Sequence, residues 1–497
     1  MEIEIIELEA SSLEFGGPGT YTDPKRGLKE AGPFDMRFGA AQLKEIRIGF
    51  VGPLDMNLKA KQWIKLCKSP IETTMKNFAQ YPDFDGFEKI YRCEVACNDI
   101  WCYDIDNDLL QSALQFKDDT ERFEAVLQLY DDGIRRIADL ENNRPNIIIC
   151  SIPKSVMDSC HHVEKKLTKE EKKAFKKMSG VNKITQQLSL FEILTEETDE
   201  DLLYRDFRRA LKAKAILARI PIQIGNDRLF LDNQADNQDA ATRAWNFSVA
   251  LYYKAGGIPW RLKANSLDTC FVGLTFHHVK TNQKSIVKSC LAQAFSSDGE
   301  GFALRGGDIA YDPDKSKMAH LSEDQSFELG VKIIDEYSYR TGLNPVRIVI
   351  HKTSFFNDDE ERGFRRAFSS TAKVELINLM PTSFRMLKLS AYPVNRGTLC
   401  VVNKAAAYLF TTGFIKELGT YPGPHIPRPV EIRSNDELNY RTVAQDIMGL
   451  ARMNWNTASI TGGQPVTISF SRQVGGILSE LNVKNIDTIP TSFRYYI

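Results

Sequence analysis

Residues 208–224 read RRALKAKAILARIPIQI and residues 245–260 read WNFSVALYYKAGGIPW, and these two runs decide the fold. The first carries Ala210, Leu211, Ala213, Leu217 and Ile220 at helical spacing, with Arg208, Lys212 and Arg219 near one another on the other side. An extended segment holding Gln223 follows, then a second helix that Gly256 and Gly257 bring to a stop just after Lys254. Arg208 and Lys212 are one turn apart with no acid between them, so they repel, and an anion lying over them removes that cost. Gln223 can add an amide donor and Lys254 a further charge. These four side chains predict a phosphate pocket, against the plainer reading of a solvated basic helix face.

The spacing of Arg208, Lys212, Gln223 and Lys254 resembles the pocket in the MID domain of prokaryotic Argonautes that holds the 5′-phosphate of a guide strand. NFSVALYYKAGGIPWRL (246–262) is similar to the MID-to-PIWI junction of that family. The likeness continues through CFVGLTFHH (270–278), RIVIHKTSF (347–355), RGTLC (396–400) and MNWNTASITGGQPVTISF (453–470) to Ile497. The first 150 residues, roughly, match only loosely, although the Gly- and Pro-rich lead is similar to the start of short members.

A chain of 497 residues is too long for one ordinary core, and 42% hydrophobic with 26% charged residues describes a folded protein rather than a disordered one. No apolar run reaches the roughly 18 residues that span a bilayer, and MEIEIIELEASSLEF is acidic where an export signal is basic, so a cytoplasmic protein without a membrane partner is expected. Nine scattered cysteines in a chain with no export signal suggest reduced thiols, and Cys93, Cys97 and Cys102, the one close set, lack the paired CxxC of a zinc site. Cys160, His161 and His162 are adjacent, but neighbours in sequence rarely point at one ion. A net charge of −1 is weak support for nucleic-acid binding unless charge is segregated. It is: residues 201–230 hold Arg205, Arg208, Arg209, Lys212, Lys214, Arg219 and Arg228 against Asp201, Asp206 and Asp227.

In chain order, residues 1–44 read as turns and loop. EIRIGFVGP gives a buried strand, a helix over Leu58 to Leu66 follows, 119–140 form a long amphipathic helix and 147–153 a second apolar strand. That order suggests a Rossmann-like parallel layer, and no GxGxxG accompanies it, so no dinucleotide is indicated. Residues 163–181 are Lys-rich and helix-prone. From 269, three strands, a helix over Glu323 to Arg340, strand VRIVIHK, a helix over Glu360 to Phe368 and strand AKVELINL build a mixed sheet, with helices over Glu437 to Met453 and in VGGILSEL. The expected architecture is α/β: a lead segment over 1–44, a Rossmann-like MID domain over 45–262 and an RNase H-like PIWI domain over 263–497.

An RNase H-like nuclease needs carboxylates that converge on two divalent ions. In cleaving Argonautes the first Asp follows the pattern FxGxD; FVGLTF has Thr275 there, Thr353 stands where an Asp follows VIHK, and the last ligand position falls at Asn454 to Asn456. Hydroxyls and amides are poor ligands for Mg²⁺ beside carboxylates. His277 and His278 face opposite ways on one strand, and Asp308 reads as a turn residue.

The resemblance therefore implies a short, catalytically inactive prokaryotic Argonaute. It implies a 5′-phosphorylated guide, usually RNA, pairing with single-stranded target DNA, and a structural Mg²⁺ bridging the guide phosphate to the C-terminal carboxylate of Ile497. It also implies a partner in a prokaryotic defence system: an APAZ-domain effector fused to a TIR, sirtuin-like or nuclease domain, activated on target recognition and able to form a higher-order oligomer. The rival is an active RNase H-type nuclease with unusual metal ligands.

Overall fold

The computed structural model describes residues 2–141, 143–166, 202–231, 238–263, 268–280, 285–295, 301–305, 319–369, 372–387, 389, 393–402, 406–423, 425–481 and 489–497. Asp308 and most of the Lys-rich run lie outside the described residues, as do the side chains of His277 and His278. Lys-rich residues 163–166, expected to be helical, are a strand.

The strands of the first half are β1 (Ile3–Glu7), β2 (Leu13–Glu14), β3 (Glu45–Pro53), β4 (Glu94–Ile105), β5 (Ile147–Ser151), β6 (His162–Lys166), β7 (Leu202–Asp206), β8 (Ile222–Gly225) and β9 (Arg261–Leu262). Four of them form an all-parallel sheet in the order β4-β3-β5-β8. Such a sheet is covered on both faces, which is why β5 is buried from end to end, with Ile147 to Cys150 apolar throughout. Its residues alternate between two cores. Ile147 and Ile149 pack with Trp63 of the helix Leu54–Lys68 and Phe247 of the helix Ala240–Lys254. Ile148 and Cys150 pack with Phe123 and Tyr130 of the helix Asp119–Ala138 and with Phe207 and Leu211 of the helix Phe207–Leu217. This is the Rossmann-like layer that the sequence suggested.

The remaining strands are β10 (Thr269–Lys280), β11 (Ser285–Phe295), β12 (Gly301–Arg305), β13 (Arg347–Lys352), β14 (Lys373–Pro381), β15 (Thr398–Val402), β16 (Ala406–Leu409) and β17 (Val430–Arg433). With β1 they make a nine-stranded sheet in the order β1-β15-β16-β17-β14-β13-β10-β11-β12. β10, β13 and β14 run parallel, and the other neighbours are antiparallel. Cys270, Val272 and Leu274 face a core built with the helices Glu323–Thr341 and Asp358–Phe368. Phe271 and Val349 face the core shared with the helices Tyr440–Leu450 and Val466–Leu478. Gly273 is where the last of these helices touches the sheet: a Cβ there would lie 1.7 Å from the Thr467 carbonyl oxygen.

The lead segment departs from its reading as turns and loop. β1 pairs antiparallel with β15 at one edge of the large sheet, β2 pairs with β9, and Pro24–Ala31 is a helix capped by Asp23, whose carboxylate accepts from the Lys25 and Arg26 amides. The alternation Glu2, Ile3, Glu4, Ile5 was a strand signal outweighed by the Gly- and Pro-rich run behind it. The last helix begins at Val466, well before VGGILSEL, because Pro465 is tolerated at a helix start.

Candidate functional site

The helix Phe207–Leu217 starts on Asp206, whose carboxylate accepts from the Arg209 amide, and buries Phe207, Ala210, Leu211 and Ile216 against the parallel sheet. That orientation sends Arg208 and Lys212, four residues apart, toward the end of β8. The helix stops at Leu217, and Arg219 takes a left-handed φ of 53° on the surface, outside the site. Lys254 is the last residue of the helix Ala240–Lys254, where a cation suits the negative end of the helix dipole.

These elements enclose a cavity of about 400 Å³ lined by Arg208, Lys212, Gln223, Lys254 and Ile497, together with Asn226, Gln238, Arg243, Asn246 and Asn456. Among the described residues, no aspartate or glutamate side chain lines it. Lys254, 3% exposed, donates to the Gln223 side-chain oxygen at 2.7 Å, and the Gln223 amide nitrogen donates to the Ile224 carbonyl at 3.3 Å. Lys212 donates to the Tyr496 carbonyl at 3.2 Å, which ties the end of the chain to the basic helix. Burial pushes the Lys212 ammonium down to about 8, with the Arg208 charge adding to the shift and Asp206 opposing it. Burial, and then Lys212, holds Lys254 well below the ordinary lysine range. Two desolvated ammonium groups and a guanidinium thus share one pocket, an arrangement that favours an entering anion.

Arg243 is committed elsewhere: it donates to the Gln238 carbonyl at 3.1 Å and to the Leu229 carbonyl, and its guanidinium lies 4.9 Å from the Trp63 ring centre. It braces the wall rather than adding a free charge.

At the other candidate position, the parallel pairing of β10 with β13 stops at Leu274 opposite Lys352, so Thr275, midway along β10, and Thr353, just past the end of β13, are the next residues of the two segments. Thr275 is buried. The nearby Glu360 is saturated: both oxygens take Lys352 Nζ at 2.6 Å, the Leu321 and Asn357 amides donate at 3.1 Å, and His320 Nδ1 lies 3.0 Å away. A carboxylate held this way is a structural counter-ion with little left for a metal.

No family model matches the sequence, and no curated protein matches it. Solved structures do. The Clostridium butyricum Argonaute bound to a guide DNA (5′ deoxycytidine) and a 19-mer target DNA superposes with a TM-score of 0.59 over 97% of this chain, at 14% identity. Aa-Ago with externally bound siRNA gives a TM-score of 0.55 over 99% of the chain, at 13% identity. The fold is Argonaute-like. The chain spans about half of each of those structures, 53% and 56%.

Within this Argonaute-like fold, one residue stands apart from its sequence reading. Asn456, assigned beside Thr275 and Thr353, lines the basic pocket, which neither threonine does. The cause is local packing. The Trp455 ring lies 4.6 Å from that of Tyr253, and the Asn246 side-chain oxygen accepts from Thr457 Oγ1 at 2.7 Å and from the Ala458 amide at 3.1 Å, clamping residues 455–458 onto the helix Ala240–Lys254. Asn226, Gln238 and Asn246 were missed. Asn246, Ala250 and Lys254 recur every four residues, the face signal that could have found the second of the pocket's asparagines.

Proposed function

We propose that this chain binds a short nucleic-acid guide by its 5′-phosphate, RNA being the guide that the resemblance favours over DNA, and presents it for pairing with complementary single-stranded DNA without cutting. The observation that carries the reading is the pair of desolvated lysines, Lys212 and Lys254, beside Arg208 in a cavity that no acidic side chain lines among the described residues. A terminal phosphate dianion supplies the missing charge and several acceptors at once, whereas a backbone phosphodiester supplies one charge and less access.

The pocket suits a magnesium ion only in part: among the described residues its lining offers Gln238, Asn456 and the chain-terminal Ile497 but no acidic side chain, and the Asn226 side-chain oxygen already accepts from the Leu229 amide. An ion here would be held by Ile497 and the guide phosphate together, and would offset the phosphate's charge against the terminal carboxylate. Thr275 and Thr353 offer hydroxyls where metal-dependent cleavage needs carboxylates. Binding without cutting leaves the output to a second protein. The reading is therefore a guide-directed sensor of a cytoplasmic prokaryotic defence system, with an APAZ-domain effector as partner and assembly driven by target pairing.

The test is equilibrium binding of labelled guides with and without a 5′-phosphate to the full chain and to Lys212→Ala and Lys254→Ala. Each substitution is expected to weaken the phosphorylated guide by about 1.5–3 kcal/mol and to leave the unphosphorylated guide unchanged. Equal losses for both guides would overturn the reading. Sequencing the nucleic acid that co-purifies with the chain then gives guide class and 5′ end together.

A further inference from the structure

His161 and His162 are neighbours that converge. The helix Lys154–Cys160 ends at His161, which keeps a helical backbone with φ −56° and ψ −49°, and His162 opens β6. The switch from helical to extended backbone turns two side chains that would diverge within a strand toward one side, and their ring centres lie 3.9 Å apart at 70°. Across the strand pair, His162 faces Asp206 of β7 in register, and His162 Nδ1 stands 3.4 Å from Asp206 Oδ2. One nitrogen from each histidine and that carboxylate oxygen all lie within 4.8 Å of one another.

Asp206 is held for this geometry. Its Oδ1 accepts from the Arg209 amide at 3.0 Å and its own amide donates to Glu480 at 3.0 Å, while Glu480 takes Arg205 Nε at 2.8 Å. One oxygen serves the helix cap and the other is left toward His162. Zinc binds imidazole nitrogen and carboxylate oxygen at about 2.0–2.2 Å, and tetrahedral geometry at that length sets neighbouring ligand atoms about 3.4 Å apart. Both histidines are exposed, so an ion reaches them without opening the fold.

We propose that His161, His162 and Asp206 form a three-ligand site for a divalent ion of the zinc class, with a coordination position left for water. Two imidazoles among three ligands select against Mg²⁺ and Ca²⁺. The ion would clamp the base of the β6–β7 pair onto the first turn of the helix that carries Arg208 and Lys212, so it stiffens one wall of the basic pocket from outside it.

The experiment titrates metal-stripped full-length chain with Zn²⁺ by calorimetry and with Co²⁺ by visible absorption. The chain expected here takes up one ion with the intense visible bands of tetrahedral Co²⁺ and without the near-ultraviolet thiolate band that cysteine ligation gives. His162→Ala, and Asp206→Asn, which keeps a good helix cap, should each weaken uptake at least tenfold with unchanged circular dichroism. No uptake, uptake with a thiolate band, or uptake that survives both substitutions would overturn the site.

Discussion

Lys254 donates to the side-chain oxygen of Gln223 at 2.7 Å, so the partner that fixes this buried ammonium brings no charge to it. A glutamate in that position would close the pocket into an ion pair. Glutamine holds the same geometry and leaves the positive charge to whatever enters.

Gln223→Glu is therefore expected to exchange binding for stability. Loss of phosphate discrimination of about 1.5–3 kcal/mol should appear together with a higher melting temperature of the free chain, because Lys254 gains a counter-ion where it had none. Guide titrations and thermal unfolding on the same preparation check both halves. Unchanged phosphate discrimination in the variant would count against an anion-selecting role for Lys254.

Proton linkage gives a second handle. The Lys212 ammonium, ordinarily at 10.5, sits at about 8 in the folded chain. Between those values the unfolded chain holds the proton and the folded chain releases it, so the free protein gains stability as pH rises through that window. Binding runs the other way. A phosphate beside Lys212 and Lys254 favours their charged forms, so affinity for phosphorylated guide should fall as pH climbs past about 8, with net proton uptake on binding. Calorimetry in buffers of different ionisation enthalpy measures that uptake, and an unphosphorylated guide should show none.

Much of this site was legible in the sequence because it rests on local rules: helical spacing puts Arg208 and Lys212 together, and paired glycines stop a helix at Lys254. What local rules miss is set by contacts between distant segments. Asn456 is drawn to the pocket by Trp455 against Tyr253, which no spacing announces, whereas Asn246 shares a helix face with Ala250 and Lys254 and is readable from that spacing. Sheet order behaves similarly. The β10–β11–β12 meander was readable from three apolar runs, but β1 pairing with β15, nearly four hundred residues away, was not. Sequence neighbours such as His161 and His162 rarely point at one ion, an expectation that the helix-to-strand switch between them suspends.

Glu360 tests how the large sheet is held beside Thr353. Lys352 is 1% exposed and Glu360 fully buried, and the ammonium also lies 5.0 Å from the Phe276 ring centre and 5.2 Å from that of Phe356. Glu360→Gln leaves a buried ammonium without its counter-ion and should destabilise the chain by about 3–5 kcal/mol in urea unfolding. The double variant Lys352→Met with Glu360→Gln should recover part of that loss, since it removes both charges together.

Guide-loaded chain given matched target should bind it and leave it whole. Two Mg²⁺ ions a few ångströms apart repel strongly, and a nuclease offsets that repulsion with several carboxylates on the ends of its central strands. The pairing of β10 with β13 stops at Leu274 opposite Lys352, so Thr275 and Thr353 are the residues that follow it, and Glu360, an acid close by among the described residues, already serves Lys352. Mn²⁺ tolerates poorer ligand sets than Mg²⁺, so the assay needs both ions, a labelled target, and the chain alone as well as with any protein that co-purifies with it. Guide-dependent cuts at a fixed distance from the guide 5′ end by the isolated chain would overturn the inactive reading. Activity that requires both the second protein and a matched target is the expected outcome, because target pairing then acts through a coupling between sites rather than through chemistry at the threonines.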